Sequence, residues 1–248
     1  LRVERRGVVS WATMNRPEVL NAVDGDRLDR LLAWISAAVD DDEVAVLCLT
    51  GAGRAFTAGG DIKEMDGLDE AGFAANTPRY QAMARACRNA PKPVIAAING
   101  VCLGAGMEFA AMSDLRIAAQ SARLGLPDAS LGFSVSGGLS WFLPHQIGLA
   151  RTMELYLSER IFPTEEASAM GFVAEIVPDD DLQEHVQAFA ERIAEFPPLG
   201  AANMKTLLYG DLGFDAQLDA EKTLESRCFA DDEVKRRLSA FLESRRKR

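Results

Sequence analysis

The stretch VIAAINGVCLGAGMEFAAMSDLRI, Val94 to Ile117, constrains this chain more than any other. It opens with an apolar run, Val94 to Ile98, suited to a fully buried strand. Asn99-Gly100 breaks the run. Gly104-Ala105-Gly106 then lets the backbone turn tightly and come close to another molecule. A short helix is expected next, through Glu108, Phe109, Ala111 and Met112. The first N–H groups of such a helix have no partner within it, and the helix dipole adds partial positive charge at that end. Glu108 falls about one turn in. It reads either as an ordinary first-turn glutamate favoured by the dipole, or as a proton-transfer group beside donors that could hold an oxyanion.

Charge and cysteine usage narrow the class. The 248 residues carry 27 Lys+Arg against 37 Asp+Glu, a net charge of −10. Such a chain is a poor general binder of nucleic acid or anionic membrane. No run approaches the length of a membrane span, and the opening LRVERRGVVS contains no signal-peptide apolar segment, so a cytoplasmic location is expected. Cys48, Cys87, Cys102 and Cys228 form no CxxC pair and read as free thiols in a reducing compartment. His145 and His185 are the only histidines, which excludes a multi-histidine metal site.

Along the chain, Val3–Glu4 and Val8–Met14 suggest a hairpin about Arg6-Gly7. Asp24 suits the cap of a helix with Leu28, Leu31, Leu32, Ile35 and Val39 on one face. Val44 to Leu49 reads as a buried strand. The segment TGAGRAFTAGGDIKEM follows, with Asp61 and Glu64 at capping-box spacing. Asp61 there caps a helix, while Gly60, lacking a side chain, could present its N–H to a bound carbonyl. Thr77-Pro78 predicts another helix start, and Thr164 a further cap. From Asp181 the pattern turns helical, with Leu182, Val186, Phe189 and Ile193 in one stripe. Alternating strands and helices before that point predict an α/β fold.

Two segments, FTAGGDIKEM and AAINGVCLGAGMEFAAMSDLRIAA, with their order, separation and the downstream Gly137-Gly138 loop, resemble the crotonase family, the enoyl-CoA hydratase/isomerase superfamily. The resemblance runs from Arg16-Pro17 to Ser239-Ala240-Phe241. It implies a ββα spiral with two roughly perpendicular sheets over residues 1–195 and a C-terminal helical oligomerisation region over 196–248. It further implies an acyl-CoA substrate, a homotrimer or dimer of trimers, and no separate cofactor or metal.

Matched by position, the oxyanion donors are the N–H groups of Gly60 and Ala105, and the two carboxylates of a hydratase fall on Glu108 and Asp128. Asp128 replaces the family's usual Glu and is one methylene shorter; its other reading is a loop residue after Pro127. Ala58, Gly60, Asp61, Ile62, Lys63 and Ala105 fall along the acyl-CoA strip. Lys63 reads as a phosphate contact or a solvated lysine. Arg245, Arg246 and Lys247 read as approaching a neighbouring subunit's CoA phosphates or as a charged tail.

Ser136 stands where other members place a catalytic Asp, which weighs against reactions that need that Asp. The segment from Gly138 to Pro144 departs from the hydratases' usual Gly-Gly-Thr-Gln-Arg-Leu and is similar to isomerase-like members. Trp141 within it suits either an acyl pocket or core packing. The resemblance therefore implies hydration of trans-2-enoyl-CoA thioesters. Δ3/Δ2-enoyl-CoA isomerisation and a non-catalytic binding role stand as alternatives.

Overall fold

The computed structural model of the chain describes residues 1–66, 68–210 and 214–237; the stretch Ser239–Phe241 and the basic run Arg245–Lys247 lie outside them. Strands β1 (Arg2–Arg6) and β2 (Val9–Met14) pair antiparallel around Gly7 at φ +59°. Helix α1 (Gly25–Asp40) follows, and the Asp24 side chain accepts from the Arg27 N–H at 3.0 Å, as its position predicts. Then β3 (Val46–Gly51) and β4 (Ala55–Thr57) lead to α2 (Ile62–Asp66) and α3 (Glu70–Asn89). The same order repeats with β5 (Val94–Ile98), β6 (Val101–Leu103) and α4 (Ala105–Met112). After β7 (Leu115–Ala119) and β8 (Arg123–Gly125) come α5 (Leu139–Ile147) and α6 (Leu149–Ser158). The rest is β9 (Phe162–Pro163), α7 (Thr164–Ala169), β10 (Glu175–Val177), α8 (Leu182–Ala194), α9 (Pro198–Leu208) and α10 (Phe214–Ala230).

These strands form two mixed sheets. The larger runs β1-β2-β3-β5-β7-β10 and the smaller β4-β6-β8-β9. From β3 onward, the three successive ββα turns (β3-β4, β5-β6 and β7-β8 with their helices) each place the first strand in the large sheet and the second in the small one, which is the expected spiral. Within the large sheet the side-chain period of two separates two cores. Val46, Cys48, Ile95, Ala97 and Ile117 face α8, against Leu182, Val186 and Ala190. Leu47, Leu49, Val94, Ala96 and Ile98 face the main core, shared with α1, α3 and α4. A strand buried on both faces must be apolar throughout, which is why the Val94–Ile98 run reads without alternation.

Three local expectations change. Helix α3 begins at Glu70, because Asp69 accepts from the Gly72 N–H at 2.8 Å, and Pro78 lies inside it. Proline there forfeits one intrahelical bond, a cost that the capped first turns offset. Thr164 is the first residue of α7 rather than its cap; its hydroxyl donates to the Ala119 and Ala122 carbonyls and pins α7 to the β7–β8 turn. Asp61 accepts from the Lys63 N–H at 3.1 Å, but Glu64 reaches across to the Gly25 N–H, so the capping box is open. Helix α5 runs on through Pro144 to Ile147.

Candidate active site

Strands β4, β6 and β8 are parallel neighbours in the small sheet, so their C-terminal ends lie side by side. Gly60 follows β4, Ala105 follows β6 and Asp128 follows β8. The crevice outside the carboxyl ends of such strands is where open α/β sheets bind ligands.

Gly60 is held by a single parallel bridge to Val23. Val23 donates to the Gly59 carbonyl and Asp61 donates to the Val23 carbonyl, each at 2.9 Å. In a parallel bridge these bonds belong to the flanking residues, so the Gly60 N–H points the other way. It has no acceptor among the described residues. Ala105 is the first residue of α4, following Gly104 at φ +51°. Met107 donates to the Gly104 carbonyl at 2.9 Å, while the Ala105 N–H finds no acceptor among the described residues.

The two turns touch. A Cβ on Gly59, which has φ +110°, would stand 3.1 Å from the Leu103 carbonyl oxygen and 3.5 Å from the Ala105 nitrogen. Glycine at 59 is what allows this approach. Next to it, a Cβ on Gly60 would stand 2.3 Å from the Met65 methyl and 3.5 Å from the Tyr80 hydroxyl.

Helix α4 is buried along its whole length, and Glu108 is only 5% exposed. Its carboxylate accepts the Ser136 N–H at 2.7 Å and lies 2.9 and 3.1 Å from the Ser136 hydroxyl. Burial pushes the Glu108 carboxyl pKa up, the Ser136 bonds oppose that, and the nearby Asp128 charge adds to it. Asp128 sits against Gly104, whose notional Cβ would be 3.5 Å from Oδ1. Its Oδ2 is buried with no hydrogen-bond partner among the described residues. Burial, then the Glu159 charge, pushes this carboxyl up as well. The two acids are close enough for the Asp128 charge to act on Glu108, but they differ: Glu108 is clasped by Ser136, while Asp128 Oδ2 has no donor among the described residues.

The remaining predicted positions fall on the rim or behind it. Ala58 donates to the Leu20 carbonyl at 2.9 Å and fixes the β4 exit. Asp61 is bound to the Arg16 guanidinium at 2.8 Å, which holds its carboxyl below the usual range. Ile62 and Lys63 are exposed on α2. Trp141 packs edge-on to Phe142 at 5.0 Å, with Tyr209 and the Arg88 guanidinium close by, so its contacts are those of core packing.

Sequence reasoning missed two neighbours. Tyr80 reads as one of the apolar positions of its helix, yet its hydroxyl borders the Gly60 turn while its ring stacks on Phe109. Burial and the Glu108 charge push that phenol up. Its polar tip on an apolar stripe was the available signal. In the sequence Ser136 stands out only for what it replaces; its contact with Glu108 spans 28 residues and leaves no local trace. Among the described residues no group of three His, Cys, Asp or Glu could hold a metal ion, and no helix is long and apolar enough to cross a membrane.

Residues 4–248 match the family Enoyl-CoA hydratase/isomerase. A probable enoyl-CoA hydratase of Rhizobium meliloti (strain 1021) is 36% identical, covering 99% of this chain and 96% of its own. The 1,2-epoxyphenylacetyl-CoA isomerase of Escherichia coli (strain K12) is 33% identical, covering 97% of this chain and 94% of its own. The solved enoyl-CoA hydratase of Bacillus anthracis superposes with a TM-score of 0.94 at 31% identity, covering 98% of this chain and 96% of that one. With matching motifs, fold and full-length relatives, the chain belongs to the enoyl-CoA hydratase/isomerase family.

Proposed function

We propose that this protein is an enoyl-CoA hydratase that adds water reversibly to trans-2-enoyl-CoA thioesters. The observation that carries this reading is the pair of amides, Gly60 and Ala105, without acceptors among the described residues, on touching turns beside the buried Glu108 and the half-buried Asp128. The thioester oxygen accepts from both amides, and negative charge developing there in the enolate is stabilised by donors already in place. One such donor contributes roughly 3 kcal/mol to the transition state.

Glu108, bonded by Ser136, is the carboxylate and takes a proton from water. The water oxygen bonds to the β-carbon as the carbon–carbon π pair moves toward the thioester oxygen. Asp128, which receives no donor among the described residues, is the protonated acid and delivers its proton to the α-carbon. Each acid thus exchanges its state once per turnover, and a proton passing back between them resets the pair. Ala58, Asp61, Ile62 and Lys63 border the acyl-CoA strip, with coenzyme A as part of the substrate. No separate cofactor or metal is part of this reading.

Loss of enoyl absorbance with crotonyl-CoA and longer enoyl-CoAs tests it. Hydration is expected, falling by about 10²–10⁴-fold in Glu108→Gln and Asp128→Asn. No hydration at any chain length, at high enzyme concentration, rejects it. The shorter Asp128 side chain tucked against Gly104 favours one second reading, Δ3/Δ2-enoyl-CoA isomerisation through a single carboxylate. Double-bond migration of a 3-enoyl-CoA without hydration would select that reading. Tight acyl-CoA binding with no turnover would select a binding role, which the buried, hydrogen-bonded Glu108 argues against.

The proposed assembly is a homotrimer or a dimer of trimers, with 1–195 as catalytic core and 196–248 as oligomerisation region. Its support is apolar surface: Leu149, Met153 and Leu157 form an exposed stripe along α6, with Ile161 just beyond. Light scattering of the purified chain reads the assembly directly, a monomer overturning it. The buried thiols of Cys48, Cys87 and Cys102 support a reducing, cytoplasmic setting.

A further inference from the structure

Ser136 occupies a defined place. Its carbonyl accepts the Leu139 N–H at 2.9 Å, which seats it at the entrance to α5, and α5 is anchored in the core by Leu139, Phe142 and Leu143. From there its amide and hydroxyl both reach Glu108. Oε1 receives the amide at 2.7 Å and has the hydroxyl at 2.9 Å, while Oε2 has only the hydroxyl, at 3.1 Å. One hydroxyl proton serves one oxygen at a time, so Oε2 keeps lone pairs free. The loop can close this tightly because the next residue is Gly137, at φ +54°, where a Cβ would stand 2.8 Å from Oε2.

We propose that Ser136 is a positioning residue for Glu108: its hydroxyl and amide fix the carboxylate in one orientation and keep it the proton acceptor of the pair. This rests on the hydratase reading above. The titratable groups facing Glu108 are Asp128 from the β8 end and Tyr80 from α3, and neither donates a hydrogen bond to it. On α5, His145 is engaged by the Trp141 carbonyl instead. Ser136 is therefore the side chain among the described residues that offsets the burial of Glu108 and the repulsion of Asp128. A hydrogen bond to a charged group is worth enough to move a buried carboxyl by about one pH unit.

The test compares wild type with Ser136→Ala, Ser136→Thr and Ser136→Cys. The Glu108 carboxyl is titrated by ¹³C NMR, its signal assigned by disappearance in Glu108→Gln. Ser136→Ala is expected to raise the Glu108 midpoint by about one unit and to move the acid limb of kcat/KM for crotonyl-CoA by the same amount. It should lower kcat by up to about tenfold on the acid side of that limb, with a smaller change in KM. Ser136→Thr, which keeps the hydroxyl, should restore both.

A natively folded Ser136→Ala protein with an unmoved Glu108 midpoint overturns the proposal. If that variant does not fold, Ser136→Cys is read by the same criteria, since a thiol is a weak donor. Wild type that hydrates no enoyl-CoA would sink the hydratase reading, and the NMR titration alone would then decide whether Ser136 governs Glu108.

Discussion

The Arg16 guanidinium donates to the Asp61 carboxylate across 2.8 Å, joining the turn that carries Gly60 to the segment that leads into α1. Arg16 also donates to the Ala22 carbonyl at 3.2 Å. The contact lies one residue from an amide that the proposed function assigns to the thioester oxygen. Arg16→Ala is therefore expected to act through placement. The pair is partly exposed, so unfolding free energy should fall by only about 1 kcal/mol. A misplaced Gly60 amide should lower kcat on crotonyl-CoA by about 10- to 100-fold. Thermal melts and steady-state kinetics on one preparation separate the two effects. Unchanged kcat would mean that the bridge to Val23 alone sets the turn.

Gly59 offers a sharper probe of the same contact. Gly59→Ala places a methyl 3.1 Å from the Leu103 carbonyl oxygen on a backbone at φ +110°. Strain of about 1–3 kcal/mol is expected from the backbone alone. If the turn moves to relieve it, the paired amides separate, and kcat should fall by about 10²–10³-fold. Denaturant unfolding and the kcat-to-KM split measure each part.

The pH dependence of stability follows from Glu108. Its folded-state pKa is raised, chiefly by burial. The folded chain therefore holds that proton more tightly than the unfolded chain, whose glutamates titrate near about 4.3. The contribution is fully present below that value and is lost as pH rises through the folded pKa. Glu108→Gln removes this dependence. It is expected to be more stable than wild type at pH 7 by about 1 kcal/mol. The advantage should shrink as pH falls toward 4.5. Melting temperatures from pH 4.5 to 8 check the sign, and a constant difference would show that Glu108 titrates normally.

Lys205 secures the back of the molecule. This lysine, 8% exposed, donates to the Asp114 carboxylate at 2.7 Å and the Cys87 carbonyl at 2.9 Å, and so fastens α9 to α3 and the β7 entrance. Lys205→Ala leaves the half-buried Asp114 carboxylate with only the Val94 N–H and Tyr209 hydroxyl as donors, at an expected cost of about 2–4 kcal/mol. Chemical denaturation measures it, and a loss under 1 kcal/mol would mean that Asp114 protonates instead.

Much of this was legible in the chain and some was not, for physical reasons. The Asp24 cap and the Leu182–Val186 stripe were readable because their partners lie within a turn or two. The family was readable because FTAGGDIKEM and the Val94–Ile117 segment form a joint pattern specific to it. The helix start before Pro78 was misplaced because proline usually marks a first turn, whereas here Asp69 supplies the cap. Thr164 was misassigned because its hydroxyl prefers carbonyls of the β7–β8 turn to its own helix. Arg16 with Asp61, 45 residues apart, and Ser136 with Glu108 are side-chain meetings created by the spiral, and no local pattern records them.

The side-by-side ends of β4, β6 and β8 have a consequence for how such a chain can change. In the proposed reading the oxygen-holding amides come from two of these strand tips and an acid from the third, while the strands beneath are tied to one another by main-chain bonds indifferent to side-chain identity. A replacement at one tip, such as Asp for Glu at 128, can redirect the proton traffic without loosening the grip on the thioester. New reactions can thus arise on this scaffold one tip at a time, inheriting a substrate handle that none of them has to reinvent.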